Sequence, residues 1–186
     1  MAERVCPWWL GYLLASPIRQ WLSGNPKKIL EPYVQTGMTV FEPGPGMGFF
    51  TLELARLVGP SGRVIAVDVQ PKMIAGLKRR AARAGLQDRI DVRQATADSL
   101  GVSDRVGKVD FTLAFAVVHE MPSASQFFSQ AALVSKAAAT LLFAEPSGHV
   151  KPDKFEAELE DAVKAGFAIE ERLSIRRSQA VLLRKK

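Results

Sequence analysis

Three groups of residues in this chain have the types and spacing to do chemistry. The first is Glu42-Pro43-Gly44-Pro45-Gly46-Met47-Gly48, where three glycines alternate with larger residues behind an acid. Glycine lets the backbone take left-handed conformations and pass close to a ligand. The second is Asp68, which ends the apolar run Val64-Ile65-Ala66-Val67. A carboxylate there can accept hydrogen bonds from both hydroxyls of a ribose. The third comprises His119-Glu120, after the apolar run Val109 to Val117, and Glu145 with His149, after Thr140 to Ala144. Imidazole and carboxylate groups exchange protons near neutral pH. A histidine at a strand end can equally be a loop residue with no chemistry.

The elements around these residues are legible from their periodicity. Thr39 to Glu42 reads as a strand leading into the glycines. Phe50, Leu54, Leu57 and Val58 then share one stripe of a helix that stops at Gly59-Pro60. Val64 to Asp68 is a second strand. The helix after it opens at Gln70-Pro71, carries Met73, Ile74, Leu77, Ala81 and Ala84, and closes at Gly85. Ile90 to Arg93 is a third strand, and Val109 to Val117 has the continuous apolar character of a central parallel strand. Phe127, Phe128, Ala131 and Ala132 mark a helix before the strand Thr140 to Ala144. The next helix should pack Phe155, Leu159 and Val163 and turn Glu156, Glu160 and Asp161 outward. Ahead of all these, Asn25-Pro26 is a capped helix start. The alternation predicts an α/β doubly wound sheet, with ligands beyond the carboxyl ends of its strands. A strand, a glycine turn, a helix and a strand ending in Asp68 together describe a pocket for an adenosine-containing molecule. Taken alone, the glycines could be just a tight strand-to-helix connection.

Bulk properties narrow the classes. The 186 residues suit a single domain, 1–186, with a full hydrophobic core. One cysteine, Cys6, excludes an internal disulfide framework and, with only two histidines, a cysteine- or histidine-rich metal site; no metal is expected. The formal charge of +6 invites a nucleic-acid reading. The basic residues are dispersed, however. Lys78, Arg79, Arg80 and Arg83 lie on one helix, and Arg172, Arg176, Arg177, Arg184, Lys185 and Lys186 near the end. A solvated helix face and a basic tail account for them equally well. The apolar run Val5 to Ala15 is too short to span a bilayer and has no small-residue cleavage site, so a cytoplasmic location is expected. Residues 1–24 form an aromatic-rich lead-in with Trp8, Trp9, Tyr12 and Trp21. It can serve as a lid over a substrate, pack on the core, or dock on a membrane surface.

The glycine spacing discriminates between cofactors. A dinucleotide turn, Gly-x-Gly-x-x-Gly, requires a small residue at position 49, where this chain has Phe49. Gly44-x-Gly46-x-Gly48, entered through Glu42 and followed by Asp68, resembles motif I of the class I S-adenosylmethionine (SAM) methyltransferases. The last two β-like runs, Ala168 to Leu173 and Gln179 to Leu183, have no helix between them, as in that family's terminal antiparallel hairpin. The resemblance covers about residues 37 to 184. It implies seven strands in the order 3-2-1-4-5-7-6, with strand 7 antiparallel. It also implies SAM as cofactor, S-adenosylhomocysteine as product, and a cofactor site of Glu42, Gly44, Pro45, Gly46, Gly48, Asp68, Val69, Ala97, Asp98 and Ala116. Ala97-Asp98 resembles the adenine-contact segment, although Thr96 stands where the family commonly has an acid, and Asp98 can also simply cap a turn. Phe115 to Pro122 resembles the family's motif IV, with His119 and Glu120 as catalytic candidates. Ser135-Lys136-Ala137-Ala138-Ala139 departs from the Lys-Pro-Gly-Gly turn of many relatives.

The acceptor is narrowed by what is missing. There is no Pro-Pro-Tyr or Pro-Pro-Phe turn of the base-amine methylating enzymes, and no core cysteine for pyrimidine carbon-5 or arsenite chemistry. What remains resembles the ubiquinone/menaquinone biosynthesis group and other small-molecule methyltransferases. The expected partner is therefore a small-molecule acceptor, apolar or aromatic if the lead-in is a lid. The alternatives are a catalytically silent SAM-binding or regulatory protein of the same fold and an RNA methyltransferase.

Overall fold

The computed structural model describes residues 24–96 and 99–186. The aromatic residues of the lead-in, Cys6, Ala97 and Asp98 lie outside the described residues. Seven strands form one sheet: β1 (Thr39–Pro43), β2 (Arg63–Asp68), β3 (Ile90–Gln94), β4 (Val109–Phe115), β5 (Ser135–Pro146), β6 (Phe167–Ile175) and β7 (Ser178–Lys185). Their order is β3-β2-β1-β4-β5-β7-β6, as the family resemblance implies. β1 to β5 pair in parallel, and β7 runs antiparallel to both β5 and β6.

Among the described residues, five α-helices flank the sheet: α1 (Pro26–Leu30), α2 (Thr51–Leu57), α3 (Pro71–Arg83), α4 (Ala124–Val134) and α5 (Pro152–Lys164). Each begins or ends where local chemistry requires it. Asn25 accepts a hydrogen bond from the Lys27 N–H at the start of α1, with Pro26 in the first turn. Gly85, at φ +66°, closes α3 as Leu86 N–H returns to the Ala81 carbonyl. Leu30, Leu54 and Leu77 of α1 to α3 pack on one face of the sheet with Leu113 and Leu142. On the other face, Phe128 of α4 and Phe155 of α5 pack with Phe143 and Val181. The Phe143 and Phe155 rings stack with centroids 4.8 Å apart.

The chain winds outward from β1 to β2 to β3 and then crosses back to β4 on the other side of β1. The crevice between the carboxyl ends of β1 and β4 is therefore the topological switch point, where a ligand can enter between diverging loops.

Four local expectations need correction. β4 ends at Phe115 rather than Val117, because Ala116 turns to φ +56°. β5 begins at Ser135, absorbing the segment read as a turn; Ala138 at φ +62° and a register shift between Val109 and Phe111 accommodate the irregular start. Val163 is 41% exposed, and the inward position on that part of α5 belongs to Ala162. Ala84 is exposed because it is the C-cap of α3 rather than part of its apolar stripe.

Candidate active site

The glycine turn sits at the switch point and is held by its own backbone. Gly44 N–H donates to the Val67 carbonyl, and Gly48 N–H to that of Pro45, each at 2.9 Å. Gly44, Gly46 and Gly48 all have positive φ, at +63°, +55° and +86°. Their surroundings differ. A Cβ on Gly44 would lie 2.4 Å from Val117 Cγ2, and one on Gly48 would lie 2.5 Å from Leu77 Cδ1. Among the described residues, a Cβ on Gly46 would meet nothing within 4 Å. Gly44 and Gly48 thus let the segment after β4 and α3 pack against the turn, while Gly46 opens onto free space among the described residues. Arg80, grouped by sequence with a basic surface, donates to the Met47 carbonyl at 2.5 Å and ties α3 to the turn. Only the folded turn, with its carbonyl facing α3, reveals that use.

Asp68 closes the other side of this space. It is buried, with Oδ2 accepting from Gly46 N–H at 3.3 Å and Oδ1 from Gln70 N–H at 2.9 Å. Burial pushes its carboxyl up from the ordinary range, the Gln70 and Gly46 N–H groups pull it down, and the charge of Glu120 adds to the rise. The next residue, Val69, is 44% exposed and offers an apolar surface beside the carboxylate. Ala95 N–H donates to the Asp68 carbonyl, so the loop after β3 also starts here. Glu42, only 3% exposed, lines a small recess with Pro43, Gly44, Pro45, Phe49, Phe50, Leu113 and Phe115.

The acid–base residues gather across the crevice. After Ala116, a left-handed non-glycine residue of the kind that marks functional turns, a short 3-10 turn spans Val118–Glu120. Its geometry is set by Glu145 at the end of β5, whose side chain is fully buried. Glu145 Oε1 accepts the Val118 and His119 backbone N–H groups at 2.9 and 3.1 Å, and Oε2 lies 2.5 Å from His119 Nδ1. A carboxylate on Nδ1 holds the proton there and leaves Nε2 as the free base. Nε2 lies 3.9 Å from Glu120 Oε1. The ring of His149 packs edge-on against that of His119, with centroids 5.0 Å apart. Burial disfavours the imidazolium of His119, but the hydrogen bond and charge of Glu145, with the charge of Glu120, outweigh it, so its pKa is raised.

The sequence places His119, Glu120, Glu145 and His149 at the same sheet end, each as a separate base candidate. The structure assigns Glu145 a different part: it orients His119 and has no solvent access of its own. Glu158 of α5, which packs behind this pair, was not anticipated, because its neighbours in the sequence are other outward-facing acids.

These features define an α/β protein with a glycine turn and a buried carboxylate at its switch point. Residues 35–177 match the family described as a methyltransferase domain, and the chain belongs to that family. Its cofactor is S-adenosylmethionine. An arsenite methyltransferase from Halobacterium salinarum is 31% identical over 105 residues, covering 56% of this chain and 26% of that protein. The ubiquinone/menaquinone biosynthesis C-methyltransferase UbiE from Hahella chejuensis is 34% identical over 71 residues, covering 38% and 28%. The matched segment thus spans only about a quarter of the length of these curated relatives. A SAM-dependent methyltransferase structure from Aquifex aeolicus superposes with a TM-score of 0.84 at 23% identity, covering 97% of this chain and 98% of that one.

The residues present fit the cofactor. Gly46 leaves the space a ligand needs, Asp68 offers carboxylate oxygens that among the described residues hold backbone N–H groups, and Val69 presents apolar surface. Among the described residues no cluster of His, Cys, Asp or Glu suits a metal ion, and no helix is long and apolar enough to cross a membrane.

Proposed function

We propose that this protein transfers a methyl group from SAM to a small-molecule acceptor that loses a proton in the reaction. The observation that carries this reading is His119, with Nδ1 tied to a buried carboxylate and Nε2 directed away from it at the switch point. SAM supplies an activated methyl group on a sulfonium sulfur. Asp68 would hold the ribose, with Val69, Ala97 and Asp98 beside the adenine. Glu42, Gly44, Pro45, Gly46, Gly48 and Ala116 would surround the methionine portion. His119 Nε2 then removes a proton from an acceptor hydroxyl or enol as the acceptor attacks in line. Glu145 keeps the ring oriented and stabilises the imidazolium that results, and Glu120 adds a second carboxylate at its outer nitrogen.

A small acceptor is favoured over RNA by the disposition of the basic residues. Arg172 makes a two-pronged pair with Glu156 at 2.8 and 2.9 Å, Arg184 pairs with Glu170, and Arg93 bridges Asp91 and Asp104. These pairs use up positive charge within the protein. Residues 1–24 serve in this reading as a lid whose aromatic rings bound an apolar acceptor. Deleting residues 1–21 should then leave SAM binding intact and abolish transfer.

The experiment is transfer of labelled methyl from SAM to a panel of phenols, enols and amines, with wild type and His119→Gln compared. Wild-type labelling of a phenol or enol that His119→Gln loses, at unchanged SAM affinity, supports the proposal. Tight SAM binding without transfer to any acceptor would instead identify a silent SAM-binding protein.

A further inference from the structure

The carboxyl of Glu158 is out of place on α5. Its side chain is only 6% exposed, among the buried Phe155, Leu159 and Ala162, and Oε2 has no hydrogen-bond partner among the described residues. Burial of a carboxyl without its full set of partners is unfavourable, so the position calls for a reason. What lies beside it is the rear of the His119 site. Lys154, one turn earlier, places Nζ 3.8 Å from Glu158 Oε1 and 3.4 Å from the His119 carbonyl oxygen, so a single ammonium touches both.

Among the described residues, the charged groups that act on the two come from β5, α5 and the turn after β4. Glu158 feels Glu145 from β5, His119 from the turn after β4, and Lys154 and Asp161 from its own helix. Burial and the Glu145 charge push it up to about 7, against Lys154 and His119. His119 feels Glu145, Glu120 and Lys154, with His149 against its ring.

We propose that Glu158 is a positioning residue for His119: together with Lys154 it forms a second layer of charge behind the His119–Glu145 pair and sets how firmly His119 holds its proton. An anionic Glu158 favours the imidazolium, and a neutral one releases it. As pH rises, Glu158 gives up its proton and its new charge makes His119 retain its own. The two groups then titrate as a coupled pair, and the His119 curve is stretched over more than the usual range. The consequence is a base that stays partly neutral over a wide span of pH. The idea deepens the reading of His119 as a base, but its test does not depend on transfer.

The chain has two histidines, so both can be followed by NMR through a pH titration of the full chain, with His149→Gln identifying His119. In wild type, the His119 curve should be broader than a single-site titration. Glu158→Gln should sharpen it and lower its midpoint by about half a pH unit or more, while Lys154→Met should raise the midpoint. Glu158→Asp, which keeps the charge, should retain the broad curve. S-adenosylhomocysteine binding and melting curves report the fold of each variant, and Glu158→Met replaces Glu158→Gln should the latter not fold. An unmoved His119 midpoint in the charge-removing variants, or a shift of the same sign in the Glu158 and Lys154 variants, would overturn the proposal. Coupling observed together with full activity of His119→Gln would leave this inference standing and remove only the base assignment.

Discussion

At the scale of single residues, Asp68 and His119 illustrate how burial turns ordinary side chains into site residues. The Asp68 carboxylate already accepts two backbone N–H groups, and a ribose would add hydroxyl donors to the same oxygens. Asp68→Ala should therefore weaken S-adenosylhomocysteine binding by about 1.5–3 kcal/mol, the range for hydrogen bonds to a charged group. Calorimetry decides this, and equal affinity in mutant and wild type removes Asp68 from the site. For His119 the reactive form is the neutral one, and its pKa is raised above the ordinary 6.5. Activity toward an acceptor that must lose a proton should thus increase with pH through a midpoint above that value. His119→Gln should lower kcat by about 10²- to 10⁴-fold and abolish that rise. A pH profile identical in the mutant would show that no base at this position is used.

At the scale of elements, the glycine turn divides its labour. Gly46 faces open space, so Gly46→Val should destabilise the fold only by the strain of a left-handed branched residue, about 1–2 kcal/mol, while eliminating SAM binding. Gly44→Ala drives a methyl group into Val117, which follows the left-handed Ala116 at the end of β4. That mutant should lose more stability than Gly46→Val despite its smaller side chain. Thermal melts and calorimetry of the two proteins check the ordering. A Gly46→Val protein that binds SAM normally would reduce the turn to a connection between β1 and α2.

At the scale of the whole molecule, the carboxyl buried behind the site predicts how stability follows pH. Glu158 binds its proton more tightly in the folded protein, about 7, than the ordinary 4.5 of an unfolded chain. Across that window the native state holds more protons, so stability falls as pH rises, by something on the order of 3 kcal/mol. His119, also raised, adds a loss in the same direction above its ordinary value. Asp91 and Asp104, lowered by the Arg93 contacts, contribute in the opposite sense, and only at acid pH. The melting temperature should therefore decline between about pH 5 and 8. Glu158→Gln should flatten that decline; an unchanged slope would show that Glu158 is not the group responsible.

What sequence alone determined was the part of the protein written in local periodicity and spacing. The alternation of strands and helices gave the doubly wound class, and the strand order came from the family that the glycine turn and the helix-free ending resemble. A pocket for an adenosine-containing molecule likewise follows from Gly44, Gly46 and Gly48 with Asp68, because a strand, a turn and a helix fix where those residues must lie relative to one another, and the family resemblance narrows it to SAM. Only the tertiary structure decided which glycine faces space and which faces Val117 or Leu77, since that depends on β4 and α3, far away in the chain. It likewise made a pair of His119 and Glu145, and placed Glu158 behind them. These residues come from two strand ends and a helix, and one hydrogen bond of 2.5 Å separates a base from its support. No spacing in the sequence encodes that distance; it is set by the register of β4 on β5 and by the packing of α5 against the sheet.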